Sequence, residues 1–367
     1  MNINEFNYTL PKELIAQTPL HVRSDARLMI LDRKNQTITH RHIRDLPEIL
    51  TPNDVLVFNE TKVFPARVRG SIEGKKVEIL LHREHTPNTW ECLAKPGKRF
   101  SVGATIMFGK NLTATVKNIQ PDGSRLLIFS KSGPELQSVI DKIGETPLPP
   151  YIHQTGNLFT QEYQTVYAKK RGSVAAPTAG FHFTQNLLKK LAQKGVEQQF
   201  VTLHVGRGTF EPVKVENIED HVMHHEWLEL SPETAAALNA LKSQGKRIFA
   251  VGTTSCRVLE SCASHQTRAT RVSNPPHFSS TAKDHKPRGA IGYGLLTPQT
   301  TETNLFITPG YSFQFIDGLL TNFHLPKSTL LMLVSALAGK DFIFKAYQEA
   351  IRLHYRFFSF GDAMLIV

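Results

Sequence analysis

The stretch SPETAAALNALKSQGKRIFAVGTTSCRVLESC, residues 231–262, decides the fold. Ser231 supplies an N-cap oxygen, Pro232 fits the first turn, and Gly245 stops the helix between them. RIFAVG (247–252) is a short apolar run, read as a buried strand, and TTSCRVLESC (253–262) returns to helical spacing. The same alternation stands upstream. Thr184 caps a helix that Gly195 ends, and EQQFVTLHV (197–205) follows as a strand. RLMILDR (27–33) and DVLVFN (54–59) are further apolar strands. Helices alternating with strands predict an α/β body with helices packed on a sheet.

Residues 66–130 break this rhythm. ARVRGSI, KKVEILLHRE, TWECLAKP, ATIMFG, LTATVKNI and SRLLIFS are short β-type runs separated by Pro, Gly, Asn or Asp turns. Six such runs predict a small all-β barrel. GPELQSVIDKI (133–143) then reads as a helix. The expected division is an α/β main domain of residues 1–64 and 150–367, with an inserted β-barrel domain at 65–149. Residues 262–303 are poor in large apolar side chains and carry five Lys/Arg, so a mobile basic loop is expected there.

The chain has 367 residues, 40% hydrophobic and 20% charged, an ordinary globular profile. No apolar run reaches membrane-spanning length, and the N-terminal segment lacks a secretory pattern. Three cysteines, Cys92, Cys256 and Cys262, without a CxxC pair, argue against a disulfide framework and for a reducing compartment. The net charge is +11, and 11 Lys/Arg against 5 Asp/Glu put about half of that excess in the barrel segment. Such an excess suits a polyanionic partner. His221, His224 and His225 in EDHVMHHEW have a spacing that would suit a metal on a helix, although a polar loop is the simpler reading.

Three segments run from strand or loop, through small or hydroxyl residues, into a helix start: VAAPTAGFHFTQNLL (174–188), VGTTSCRVLE (251–260) and LTNFHLPKSTLLML (320–333). Helix starts present unpaired N–H groups and a positive dipole end, which suit carboxylates and phosphates. HVGRGTFEPV (204–213) adds a Gly-x-Gly turn, too short a signature for a dinucleotide site. Walker, GxSxG and HExxH patterns do not occur, which disfavours nucleotide hydrolysis, α/β-hydrolase chemistry and zinc proteolysis.

These blocks together resemble a known family. NETKVFPARV (59–68), GETPLPPYI (144–152), YQTVYAKKRGSVAAPTAGFHFT (163–184), TLHVGRGTFEPV (202–213), HVMHHEW (221–227), VGTTSCRVLE (251–260), LLTNFHLPKSTLLMLVSALAG (319–339) and YRFFSFGDAMLIV (355–367) are similar to the S-adenosylmethionine:tRNA ribosyltransferase-isomerases of queuosine biosynthesis. The resemblance implies an α/β main domain with a separate β-barrel. It implies transfer and isomerisation of the ribosyl moiety of S-adenosylmethionine onto the aminomethyl group of 7-aminomethyl-7-deazaguanine at the tRNA wobble position. The products would be epoxyqueuosine-tRNA, adenine and methionine. The partners implied are S-adenosylmethionine as cosubstrate and tRNA with a GUN anticodon (Tyr, His, Asn and Asp acceptors). It further implies that no metal and no membrane take part, and that the setting is a cytoplasmic monomer.

Such a reaction needs a base for a proton beside the sulfonium, help for the departing adenine, and a free amine. The expected catalytic groups are His182, His204 and His324, with Asp317 and Asp362 orienting or accepting protons; Glu145 is a further acid/base candidate. Thr178, Thr184, Thr253, Thr254, Ser255, Ser328 and Thr329 would hold the methionine carboxylate and ribose hydroxyls, with Arg257 pairing a carboxylate or phosphate. For RNA the expectation rests on Arg67, Arg69, Lys75, Lys76, Lys98 and Arg99 in the barrel, and on Lys169, Lys170 and Arg171. Tyr151, Tyr163 and Tyr167 are equally suited to base stacking or to a core. Two rivals are a non-catalytic RNA-binding module and a methyltransferase; the first leaves the hydroxyl-rich helix starts unexplained and the second lacks its usual cofactor loop.

Overall fold

The structure, a computed structural model, describes residues 1–153, 162–206, 215–264 and 294–367. In chain order the strands begin with β1 (Arg27–Asp32), β2 (Thr37–His42), β3 (Asp54–Asn59) and β4 (Thr61–Val63). Six strands follow: β5 (Arg67–Ile72), β6 (Lys75–Thr86), β7 (Thr89–Lys95), β8 (Thr105–Phe108), β9 (Leu112–Ile119) and β10 (Arg125–Phe129). The remainder are β11 (Lys170–Ser173), β12 (Glu197–Leu203), β13 (Glu226–Leu230), β14 (Arg247–Val251), β15 (Gln299–Thr303), β16 (Gly318–Asn322) and β17 (Ala363–Ile366). The helices are α1 (Leu46–Ile49), α2 (Gly133–Ile143), α3 (Gln185–Gln193), α4 (Pro232–Ser243), α5 (Thr253–Cys262), α6 (Thr329–Ala338) and α7 (Lys340–Arg352).

Nine strands form one mixed sheet in the order β15-β13-β12-β3-β14-β16-β17-β1-β2. Its centre, β12-β3-β14-β16, is parallel. β3 is buried at every position because helices cover both faces. Val55 and Val57 face one core with Cys256, Val258 and Leu331, while Leu56 and Phe58 face the other with Leu187, Leu188 and Leu191. This is the strict two-residue alternation of a strand. The predicted caps Thr184 and Ser231 are in place, accepting from the Leu187 and Thr234 N–H groups, and Ser328 caps α6 by accepting from Leu331.

Strands β5 to β10 close a barrel in the order β10-β7-β6-β5-β8-β9 around Ile79, Leu81, Phe108 and Leu127. Leu136 and Ile140 of α2 join this core. Gly70 permits the closure: a Cβ there would lie 2.6 Å from the Met107 carbonyl oxygen. Arg67 and Glu145 exchange backbone hydrogen bonds of 3.1 and 2.8 Å, so the chain enters and leaves the barrel side by side.

The predicted basic loop is partly structured. α5 runs through Cys262, Ala263 bridges Leu296, and 299–303 is the sheet-edge strand β15, paired with β13. Alternation of Thr with polar residues hides this strand from an apolar count. The rest of that segment, 265–293, lies outside the described residues, as do 207–213 of the Gly-x-Gly turn.

Candidate active site

The strand order reverses around β3: β12 follows it on one side and β14 on the other. In open α/β sheets the crevice outside the carboxyl ends of such strands is where ligands bind. The stretch 174–184 crosses this edge. After Pro177 it tightens into a 3₁₀ turn, Thr178–His182, packed against β16. A Cβ added at Gly252 would sit 3.6 Å from the Ala179 Cβ, so the start of α5 abuts the same turn. No side chain caps α5, and the Thr254 hydroxyl is enclosed without a partner among the described residues.

Asn322, the last residue of β16, ties the turn together. Thr178 Oγ1 donates to Asn322 Oδ1 at 3.1 Å, and Asn322 Nδ2 lies 3.1 Å from His182 Nε2. The same Nδ2 lies 3.4 Å from the carbonyl oxygen of Asp362. Burial, reinforced by the positive charges of Arg23 and Arg356, pushes the His182 imidazole down to about 4, so it is neutral at physiological pH. His182 lines a cleft with Arg23, Glu162, Phe181, Ser359 and Phe360. Arg23 is fixed there by donating to the carbonyls of Gln164 and Glu162, both at 2.8 Å, and lies over the Phe181 ring. Phe181 stacks with Phe360 at 5.9 Å.

The other two histidines have different settings. His204, just past β12 on the same sheet edge, stacks on Trp227 at 4.6 Å and places Nδ1 2.8 Å from Thr61 Oγ1. Its other face meets Gly172, where a Cβ would come within 2.4 Å of Nε2. Burial lowers its pKa to about 4, with Glu229 opposing and Lys170 reinforcing. His324 is enclosed in the core. Its Nε2 is 3.1 Å from Thr321 Oγ1, its N–H donates to Tyr347, and burial lowers its pKa to about 3. The alternation of β16 explains the difference. Leu319 faces one core and Leu320 the other, which puts Thr321 and Asn322 on opposite faces of the sheet. His324 is therefore not brought to the His182 cluster.

The carboxylates and several binding candidates have other partners. Asp317 precedes β16, at the opposite end from Asn322, roughly 17 Å away at ~3.4 Å per residue. It accepts from Lys242 Nζ at 2.5 Å and from the Ile248 N–H at 2.7 Å, so it fixes the sheet's far edge. Asp362 touches the cluster through its backbone only; its carboxylate takes the N–H groups of Arg27 and Arg356 and the Arg27 Nε. Glu145 pairs with Arg69 at 2.8 Å beside the barrel entry. Ser255 donates back to the Val251 carbonyl at 2.9 Å. Arg257 is 6% exposed, paired with Glu226 and donating to the Leu305 and Thr303 carbonyls. Thr184 and Ser328 cap their own helices, and Thr329 opens α6 behind Ser328. Of the hydroxyl set, Thr178, Thr253 and Thr254 are gathered around the 178–182 turn.

On the RNA-facing candidates, Lys75, Lys76, Lys98 and Lys169 are exposed. Arg67 and Arg69 flank Glu78, Arg99 donates to the Lys76 carbonyl, Lys170 pairs with Glu229 at 2.7 Å and Arg171 with Asp141 at 2.6 Å. Tyr163 is buried, Tyr167 has an enclosed hydroxyl, and Tyr151 bonds Ser359 at 2.6 Å; each packs in the protein. His221 and its neighbours lie in an irregular segment before β13, and no metal-holding group occurs among the described residues. Nor is any helix among them long and apolar enough to cross a membrane. Asn322 was missed in the sequence. Its signal was available: a polar side chain closing the wholly buried strand GLLTN.

A family model described as queuosine biosynthesis protein matches residues 3–366. The chain is 48% identical to the S-adenosylmethionine:tRNA ribosyltransferase-isomerase of Desulfitobacterium hafniense, over 100% of both chains. It is 36% identical to the crystal structure of S-adenosylmethionine tRNA ribosyltransferase from Thermotoga maritima, covering 99% of this chain and 100% of that one with a TM-score of 0.53. The chain belongs to the queuosine biosynthesis family of S-adenosylmethionine:tRNA ribosyltransferase-isomerases.

Proposed function

We infer that this chain transfers and isomerises the ribosyl moiety of S-adenosylmethionine onto the aminomethyl group of 7-aminomethyl-7-deazaguanine in tRNA, releasing adenine and methionine. The observation that carries this reading is the 48% identity over the full length of a ribosyltransferase-isomerase. The donor binds at the carboxyl edge of the sheet: neutral His182 lines the cleft there, Thr178 shares its turn and bonds Asn322, and Thr253 and Thr254 stand at the uncapped start of α5, which abuts that turn. His204 stands on the same edge as a second candidate. The acceptors are tRNAs with a GUN anticodon, no metal takes part, and the enzyme works in the cytoplasm as a single chain. Residues 65–149 act as an inserted barrel unit on a main body of 1–64 and 150–367. Incubation with precursor-bearing tRNA and labelled S-adenosylmethionine is expected to give free adenine and methionine. S-adenosylhomocysteine instead would mean methyl transfer, and RNA binding without turnover would mean a binding module.

The RNA face is the barrel's exposed Lys75, Lys76 and Lys98 together with Lys169. Lys170 and Arg171 already hold Glu229 and Asp141, so they have less charge to offer a phosphate. Lys169→Ala is expected to reduce the slope of log affinity against log salt by about one, with Lys170→Ala and Arg171→Ala changing it less. Filter binding across a salt series reads this; equal slopes in all three variants would refute the ranking.

A further inference from the structure

We propose that Asn322 is a positioning residue that holds His182 as a neutral hydrogen-bond donor, with Nδ1–H presented to the cleft for a lone pair on the departing purine. The proposal rests on the reaction assigned above, but its first half is a statement about one tautomer. Imidazole tautomers are set by what the neighbouring groups demand. The Asp362 carbonyl can only accept, and the Asn322 amide atom 3.4 Å away must therefore be the NH₂ group. That same nitrogen faces His182 Nε2 at 3.1 Å, and the amide oxygen on the other side takes the Thr178 hydroxyl at 3.1 Å. An NH₂ group only donates. His182 Nε2 is therefore the accepting nitrogen, and the ring proton sits on Nδ1, to which no described residue bonds.

The surroundings keep this imidazole neutral. Arg23 and Arg356 oppose protonation. Of the two acids nearby, Asp362 has its carboxylate tied to Arg27 and the Arg356 N–H, and Glu162 lines the cleft beside Arg23. A purine leaving a sugar carries away the electron pair of the C–N bond, and the negative charge spreads over its ring nitrogens. A fixed neutral N–H stabilises that charge without a proton change. The aromatic faces of Phe181 and Phe360 on the same wall suit a flat heterocycle. His182 has no free lone pair in this arrangement. The base that removes the proton beside the sulfonium is then another group.

Two readouts test this. In the full chain labelled with ¹⁵N-histidine and assigned by difference with His182→Gln, the ring shifts should show Nδ1 protonated and Nε2 bare. They should not titrate between about pH 5.5 and 8, where free imidazole does. A protonated Nε2, or titration in that window, overturns the proposal. Asn322→Asp gives the second readout. A carboxylate demands N–H at Nε2, so the neutral ring loses its Nδ1 proton and its pKa rises. Turnover should fall ~10²-fold or more near pH 8, as expected for a wrong tautomer. Below the raised pKa the imidazolium carries both protons, so the ratio of variant to parent rate should recover as pH falls. A ratio that stays flat with pH overturns the proposal. Failure of the parent chain to release adenine would sink the reaction reading instead, while the ring shifts still decide the tautomer.

Discussion

Replacing His182 with Ala is expected to slow adenine release ~10²–10³-fold, the usual cost of losing one fixed donor to a developing anion. Binding of tRNA should be unchanged, because the residue lies on the inner wall of the cleft, 4% exposed, and none of the exposed lysines lines that cleft. Single-turnover kinetics beside an equilibrium binding curve separate the two. His324→Ala is the informative comparison. That ring is enclosed and bonded to Thr321, so its loss should lower the unfolding midpoint. Its effect on the chemical step per folded molecule should be small. If both variants lose turnover equally at full stability, the division of labour between the two faces of β16 is wrong.

Glu226→Ala is expected to destabilise the fold by about 3–5 kcal/mol, the range for stripping one partner from a buried ion pair. Glu226 and Arg257 are 7% and 8% exposed at their side chains. Among the described residues, removing the carboxylate leaves the guanidinium the Leu305 and Thr303 carbonyls, and frees the Gly206 N–H that Glu226 holds at 3.0 Å. Urea unfolding measures the loss. The double replacement Glu226→Leu with Arg257→Met should regain much of it, since no unpaired charge then remains. If Arg257 instead held substrate, the double variant would be stable yet fail to bind S-adenosylmethionine, and binding measured by calorimetry would show that.

What could be read from the chain alone follows physical range. Thr184, Ser231 and Ser328 cap helices with an oxygen that needs only the next three residues, so their helices were legible. The barrel was legible because each strand's turns are written beside it. The site was harder. Phe181-His182 and Phe323-His324 look alike in sequence, yet one histidine ends a 3₁₀ turn at the cleft and the other follows a strand into the core. Only the pairing of β16 with β14 and β17 decides which face each neighbour takes. Arg257 read as a binding residue because it follows a helix start; its partner Glu226 lies 31 positions away on β13. Asp317 read as catalytic because a carboxylate can orient or accept protons, yet it stands just before β16, at the end opposite Asn322.

The placement of β17 has a consequence for how the molecule comes into being. This strand lies between β16 and β1, and the β1–β2 hairpin reaches the sheet only through it. On a ribosome, the hairpin is made long before β17 and must wait for that strand before it can pair into the sheet. Nascent chains stalled before residue 363 should therefore keep the hairpin open to protease, and closure should come as one late event.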